Sequence, residues 1–227
     1  MMSRDVLKVG AASFGAVVAG GVAVGVGLLA MGGNGEPNLP SDMPLTDTET
    51  YGFMEMPDFE LVDQRGRLVT RDDVIGGGKW TVLDFMFTNC VLACPIMSGN
   101  MRLVNQEVGS DRVRFVSISV DPENDTVRTL RSFGERLEAD DRWRFLKTEP
   151  GDPERIVGGL GLLLEEDTNP ENTITLMDGG TMENIIHPTR FLVFNPEGVL
   201  VGSYRGMDRG DVEQLIRDLS RVLAAGL

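Results

Sequence analysis

This chain of 227 residues is poor in several residues that catalytic and nucleic-acid sites require. It has one histidine, and 21 lysine and arginine residues against 35 aspartate and glutamate residues, for a formal net charge of -14. Nucleic acids are bound through clustered basic side chains, so no nucleic-acid partner is expected. A single histidine cannot serve both a Ser/His/Asp triad and a metal site. The glycine-rich residues 76–79 precede a predicted strand rather than a helix, which argues against a phosphate-binding loop.

The N-terminal part lacks charge and cysteine. Residues 9–31 carry no charged side chain, and about 20 apolar residues are enough to cross a bilayer as a helix. Basic residues within positions 1–8 favour a cytoplasmic N-terminal flank. We therefore predict a single-pass transmembrane anchor at 9–31 in the cell membrane, with the C-terminal domain on the extracytoplasmic side. A cleaved signal peptide is the alternative, and a lipid-modified cysteine is not expected because no cysteine lies nearby.

The remaining sequence divides into a tether and one domain. Residues 32–56 mix Gly, Pro, Asp and Thr without hydrophobic periodicity and are predicted to form a flexible tether. From residue 57 to 227, short apolar runs alternate with helical patterns and end in a hairpin and an amphipathic helix. This order is typical of an α/β, thioredoxin-like domain with buried parallel strands. Residues 165–184 interrupt the pattern and are predicted to form a long loop or small hairpin.

The two cysteines form one motif, Cys90 and Cys94 followed by Pro95, directly after a buried strand. A helix that begins here would place its unpaired N–H groups near the sulfurs, which lowers the pKa of a thiol. Residues at i and i+4 share a helix face, so both sulfurs can converge on one metal ion. A disulfide is equally allowed if Cys90 lies just outside the helix, and an exported domain can keep one. The pair therefore predicts copper binding or dithiol–disulfide exchange.

His187 lies immediately before a predicted strand, in the sequence His-Pro-Thr. Thioredoxin-like folds present a loop of this kind against their cysteine pair. Two thiolates and one imidazole would form a three-coordinate site that suits Cu(I) and can also hold Cu(II).

Three segments together resemble the Sco (SenC) family. Residues 87–95 resemble its copper-site motif, and residues 117–126 and 143–146 resemble two further signatures. The resemblance implies a membrane-tethered copper chaperone with Cys90, Cys94 and His187 as copper ligands. It also implies a partner, the copper-site subunit of cytochrome c oxidase, to which the chaperone delivers copper or whose cysteines it reduces.

The chain departs from that family at two positions beside the histidine. Ile186 stands where the family commonly has an acidic residue, and a carboxylate there would orient the imidazole, so a lower copper affinity is expected. Pro188 is more typical of thioredoxins and favours a redox role.

Two other functions remain open for the same cysteines. In a thiol–disulfide oxidoreductase, Cys90 would attack a partner disulfide and Cys94 would resolve the mixed disulfide. A peroxidase would oxidise Cys90 with peroxide, but the arginine and threonine placement expected around such a thiolate is missing. The anchor and tether are compatible with a monomer, which is the expected state.

Overall fold

The computed structural model describes residues 45, 50–52, 54–91, 93–176 and 178–227. The predicted flank at 1–8 and anchor at 9–31 lie outside these residues. Within the described residues, no helix has the length and apolar character needed to cross a bilayer.

The elements alternate between strand and helix along most of the chain. The strands are β1 (Glu60–Asp63), β2 (Leu68–Thr70), β3 (Trp80–Met86), β4 (Val113–Ser119), β5 (Trp143–Lys147), β6 (Glu165–Asp167), β7 (Ile174–Thr175), β8 (Thr181–Met182), β9 (Asn184–Ile186), β10 (Arg190–Phe194) and β11 (Leu200–Arg205). The helices are α1 (Arg71–Val74), α2 (Ala93–Val108), α3 (Val127–Arg136), α4 (Asp152–Gly159) and α5 (Arg209–Ala224), with a 3-10 turn at Pro170–Asn172.

A seven-stranded mixed sheet in the order β11-β10-β3-β4-β5-β1-β2 forms the core. Strands β3, β4 and β5 are parallel, whereas β10 runs antiparallel to β3 and β11. All seven residues of β3 are buried, as expected for a central strand whose apolar run is continuous. The predicted thioredoxin-like α/β architecture is confirmed: strands alternate with helices after residue 57, and the chain ends in the β10–β11 hairpin and helix α5.

The polar interruption at 165–184 forms two nested antiparallel pairs. Strand β6 pairs with β9, and β7 pairs with β8 inside that loop. The small hairpin expected here is therefore present in a longer form, which brings the chain back to the main sheet just before His187.

Part of the predicted flexible tether packs into the core. Leu45, Tyr51, Met54 and Met56 are all buried. Leu45 lies against the sheet where Gly202 leaves room, because a Cβ atom at position 202 would lie 2.6 Å from Leu45 Cδ2. These side chains belong to the folded unit, and the flexible character expected for 32–56 does not extend to them.

Replacing Tyr51 by alanine is expected to lower the free energy of unfolding by about 3 kcal/mol, because a fully buried aromatic ring would be removed from the core. Urea unfolding of the full chain measures this, with Glu55→Ala as the control, since Glu55 is exposed in the same segment. Equal stabilities of the two variants would show that the segment contributes nothing to the core.

Candidate metal centre

The loop between β3 and α2 places the two cysteines at different distances from the helix. Cys90 precedes α2, and its backbone N–H donates to the carbonyl oxygen of Phe87 at 3.3 Å. Cys94 is the second residue of the helix, and its backbone N–H donates to Cys90 Sγ at 3.3 Å. The helix N-terminus therefore directs a backbone N–H donor at the Cys90 sulfur, as the sequence predicts. Cys94 is more deeply buried than Cys90.

His187 reaches the pair from the turn between β9 and β10. Its Nε2 atom lies 3.4 Å from Cys94 Sγ, and its Nδ1 atom lies 3.1 Å from the carbonyl oxygen of Pro188. A carbonyl oxygen only accepts hydrogen bonds, so Nδ1 carries a proton, and in the neutral imidazole Nε2 presents a lone pair towards the sulfur. The edge of the imidazole packs on Phe87, with ring centroids 5.7 Å apart. This tautomer is the one that a metal ligand requires.

The three predicted site residues thus converge on one point. Cys90 Sγ, Cys94 Sγ and a ring nitrogen of His187 all lie within 4.8 Å of one another, and all three residues are buried. The two cysteines are not joined by a disulfide. Two soft sulfur donors and one imidazole suit Cu(I), and the same two sulfurs are neighbours that could form a disulfide if they moved together.

The environment of Cys94 differs from the sequence expectation. The hydrogen bond with Cys90, burial and the nearby negative charges of Cys90 and Asp84 raise the pKa of the Cys94 thiol well above its usual range, although the Phe87 backbone partly opposes this. The expectation that the helix N-terminus makes the thiolate available is therefore wrong for Cys94, because its sulfur lies in the core rather than at the helix end. Cys94 must lose a proton before it binds a metal or attacks a disulfide.

Asp84 is a site neighbour that the sequence reasoning missed. It lies in the middle of β3 and is 1% exposed. Its Oδ1 atom accepts from the Ser117 hydroxyl at 2.6 Å, whereas Oδ2 has no hydrogen-bond partner. Burial raises the pKa of Asp84 to about 7, although the Ser117 hydrogen bond and, when it is charged, the His187 imidazole act in the opposite direction. A carboxyl group within the apolar run at 82–87 was the available signal.

Asp84→Asn is expected to remove part of the pH dependence of stability. A carboxyl group whose pKa is raised on folding stabilises the folded state below its unfolded pKa, and this contribution is lost as pH rises towards 7. Three pKa units correspond to about 4 kcal/mol. Between pH 4 and pH 8 the wild type therefore loses up to that much free energy of unfolding through Asp84, and the variant does not. Urea unfolding of the reduced, copper-free chain at both pH values measures the difference. Asp111→Asn, at an exposed aspartate, should behave like the wild type.

A buried carboxylate from the second sequence signature holds the cysteine loop. Asp125 accepts from the backbone N–H of Thr88 at 3.2 Å and also from the Thr88 hydroxyl. A further hydroxyl, from Ser119, donates to Asp125 at 2.6 Å. Burial raises the pKa of Asp125 to about 6. The signature at 117–126 therefore positions the loop that carries Cys90.

The surroundings of His187 show what replaces the missing acidic neighbour. The side chain of Ile186 is 39% exposed and supplies no hydrogen bond. The Pro188 carbonyl instead accepts from Nδ1 and fixes the tautomer. A backbone carbonyl orients a ligating imidazole as a carboxylate does but adds no charge.

This site occurs within a region that matches a known family. The SCO1/SenC family model matches residues 48–224. The chain belongs to the SCO1/SenC family. As a Sco protein, it is 27% identical over 168 residues to the SCO1 protein homolog of Bacillus subtilis (strain 168), covering 73% of this chain and 81% of that one.

Solved Sco structures resemble this Sco domain over most of its length. BsSco, a member of the Sco family of cytochrome c oxidase assembly proteins in which a disulfide switch was identified, is 25% identical, with a TM-score of 0.58 over 75% of this chain and 94% of that one. ScoI of Bradyrhizobium japonicum, solved with copper bound, is 24% identical, with a TM-score of 0.58 over 74% of this chain and 98% of that one. Both likenesses support the thioredoxin-like fold.

Proposed function

We propose that this protein is a copper chaperone that binds one Cu(I) ion through Cys90, Cys94 and His187 and delivers it to the copper-site subunit of cytochrome c oxidase. The observation that carries the proposal is the convergence of two cysteine sulfurs and a ring nitrogen of a buried histidine within 4.8 Å. Two of the three donors are soft sulfurs, which favours Cu(I), and the set can also accommodate Cu(II). Family membership and the copper-bound ScoI structure support the same metal.

Each ligand has a separate task in loading and release. Cys90, at 9% exposure, is the outermost of the three, so it is the first to meet incoming copper and the first that a recipient can replace. Cys94 and His187, at 1% and 6% exposure, hold the ion on the inner side. Binding at Cys94 releases its thiol proton, and therefore copper affinity rises with pH.

The same residues support a second function, reduction of a partner disulfide. The backbone donor from Cys94 to the Cys90 sulfur stabilises negative charge on the more exposed of the two sulfurs. Cys90 would attack the partner disulfide and release one partner thiolate, and Cys94 would then attack Cys90, forming the internal disulfide and freeing the second partner thiol. The disulfide switch identified in BsSco supports this alternative.

The location of the protein is part of the proposal. Residues 9–31 would anchor it in the cell membrane, with residues 57–227 as a monomeric domain on the extracytoplasmic side. The uncharged, apolar character of residues 9–31 supports the anchor, and the basic residues before it support the orientation.

The deciding experiment measures copper transfer. The reduced full-length chain is loaded with one equivalent of Cu(I) and mixed with the copper-free soluble copper domain of an oxidase subunit, and copper is measured on each protein after separation. We expect copper to move to the oxidase domain. If the wild-type chain holds no copper but reduces the oxidised copper domain, the chaperone function is refuted and the disulfide reductase function is supported.

A further inference from the structure

The segments that surround the cysteine pair carry no charge in a strongly charged protein. Residues 85–101 contain no Asp, Glu, Lys or Arg, although these make up 25% of the chain. The segments 185–189 and 206–207 are uncharged as well. A stretch of this length without charge is unusual on the surface of a protein with a net charge of -14, and part of it is exposed.

These three segments meet around the site. The Gly206 N–H donates to the Thr189 carbonyl oxygen at 2.8 Å, and the Asn100 side chain donates to the Gly206 carbonyl oxygen at 2.7 Å. A Cβ atom at position 206 would lie 3.0 Å from Met97 Cε, so helix α2 packs directly on this turn. We refer to the described residues of these uncharged segments, 85–91, 93–101, 185–189 and 206–207, together as the neutral face.

The neutral face exposes large apolar side chains. Of the seven large hydrophobic residues that are exposed in the described part of the chain, four lie on it: Val91, Ile96, Ile186 and Met207. Val91 lies between the cysteines, and Ile186 precedes His187 directly. Apolar side chains grouped around a buried ligand set mark a surface that another protein covers.

An acidic groove adjoins the neutral face. It has a volume of about 660 Å³ and lies between the loop after β4 and the β6–β9 insertion. Six carboxylates line it, from Asp121, Glu123, Glu154, Glu165, Glu166 and Glu183, and none of its lining residues is basic. Across the described residues, none of the five glutamates forms a salt bridge.

Strand β9 connects the groove to the site along the chain. Ile185 lines the groove, Ile186 is exposed on the neutral face, and His187 is the next residue. A protein placed over the cysteines would therefore also extend over the edge of the groove.

Charge decides what kind of partner fits. Copper held by buried soft ligands leaves most easily by exchange with ligands of a protein in direct contact, since water is a poor substitute for thiolate. Lysine or arginine side chains beside those ligands would lie over the unpaired glutamates and increase the rate of encounter. A second copy of this chain is disfavoured, because its groove and its net charge are equally negative.

We propose that the neutral face and the acidic groove form one docking surface for a copper-exchanging protein whose ligands lie on an apolar patch flanked by lysine or arginine side chains. This inference rests on the proposed copper transfer. It adds that two parts of this surface select the partner in different ways: the neutral face by apolar contact around the cysteines, and the acidic groove by charge.

The test uses paired variants that leave the copper ligands intact. The groove variant is Glu165→Lys with Glu166→Lys, and its control is Glu107→Lys with Glu135→Lys, which changes the charge equally at exposed glutamates elsewhere. The face variant is Met207→Glu, and its control is Leu68→Glu, which alters an exposed apolar residue on β2. Binding of the copper-free chain to the copper-free oxidase copper domain is measured by stopped flow and calorimetry at low and high salt, with circular dichroism to verify folding.

We expect the groove variant to slow association about 10-fold at low salt and to lose most of the salt dependence, while its control remains close to wild type. The face variant should dissociate about 10-fold faster, with little change in salt dependence. Groove and face variants that match their controls would overturn the docking surface, as would a wild-type chain that does not associate. A change confined to self-association would also overturn it, in favour of a second copy.

Failure of the docking surface is separable from failure of the chaperone proposal. Copper content is measured in parallel on every variant. A wild-type chain that binds no copper refutes the chaperone proposal whatever the association rates are. Normal copper loading and transfer in both surface variants refutes the docking surface alone.

Discussion

Replacing His187 by alanine is expected to weaken Cu(I) binding by about 100-fold or more while leaving disulfide exchange largely intact. The substitution removes one of three donors and leaves both sulfurs in place. Mutations of groups that only orient a ligand already lower metal affinity by about 10- to 100-fold. Loss of the ligand itself should therefore lower the affinity further. Competition with a chromophoric Cu(I) chelator measures the affinity, and reduction of a model disulfide measures exchange.

The matched control for this variant is Ile186→Ala, which shortens the exposed neighbour and leaves the imidazole in place. It should bind copper like the wild type. Unchanged affinity in His187→Ala would make the histidine a bystander and leave the cysteine pair with the redox function alone. Equal losses in both variants would indicate a disturbed turn rather than a lost ligand.

The second large effect separates the two cysteines. With a disulfide-containing partner, Cys94→Ser should accumulate a stable mixed disulfide through Cys90, because the resolving thiol is missing. Cys90→Ser should form almost none, since Cys94 is 1% exposed and its burial, which persists when Cys90 is replaced, still raises the pKa of its thiol. Mass spectrometry of the alkylated products measures the yield, for which we expect at least about a 10-fold difference.

Both serine variants should lose most of their Cu(I) affinity, because each removes a soft donor. Equal trapping by the two cysteines would contradict the assignment of Cys90 as the attacking thiol. Trapping through Cys94 alone would reverse it.

Much of the site could be predicted because its residues are rare in this sequence. With two cysteines and one histidine in the chain, only one Cys-Cys-His ligand set is possible. The cysteine motif follows β3 and His187 precedes the antiparallel strand β10, so both lie at the same end of the sheet. The strands of the main sheet were predictable for a related reason: their apolar runs are continuous and their lengths differ clearly from those of the helices.

The features that were not predictable depend on tertiary packing. Asp84 sits in a run that sequence patterns assign to a buried strand, and nothing local shows that one of its oxygens is without a partner. The hydrogen bond from His187 to the Pro188 carbonyl uses a backbone atom, which has no sequence signature. The direction of the Cys94 pKa shift follows from its depth behind Cys90, whereas motif spacing indicates only proximity.

The shortest elements and the packed part of the tether could not be predicted either. Strands β7 and β8 contain two residues each, too few for any periodicity, so the nested form of the insertion is invisible in the sequence. Tyr51 and its buried neighbours lie among Gly, Pro and Thr, and a composition typical of a linker masks side chains that complete the core.

The packing of Leu45 and Tyr51 onto the domain limits how far the protein can travel. With residues 9–31 in the membrane as proposed, the chain between the anchor and the first packed side chain is residues 32–44, roughly 13 residues, which span at most about 45 Å when fully extended. A linker of that length would keep the cysteines within a shell, that is, a layer of limited depth beside the bilayer. Recipients would then be proteins that display their copper ligands within that shell, and neighbours in the same membrane would meet the chaperone at a high local concentration without any added affinity.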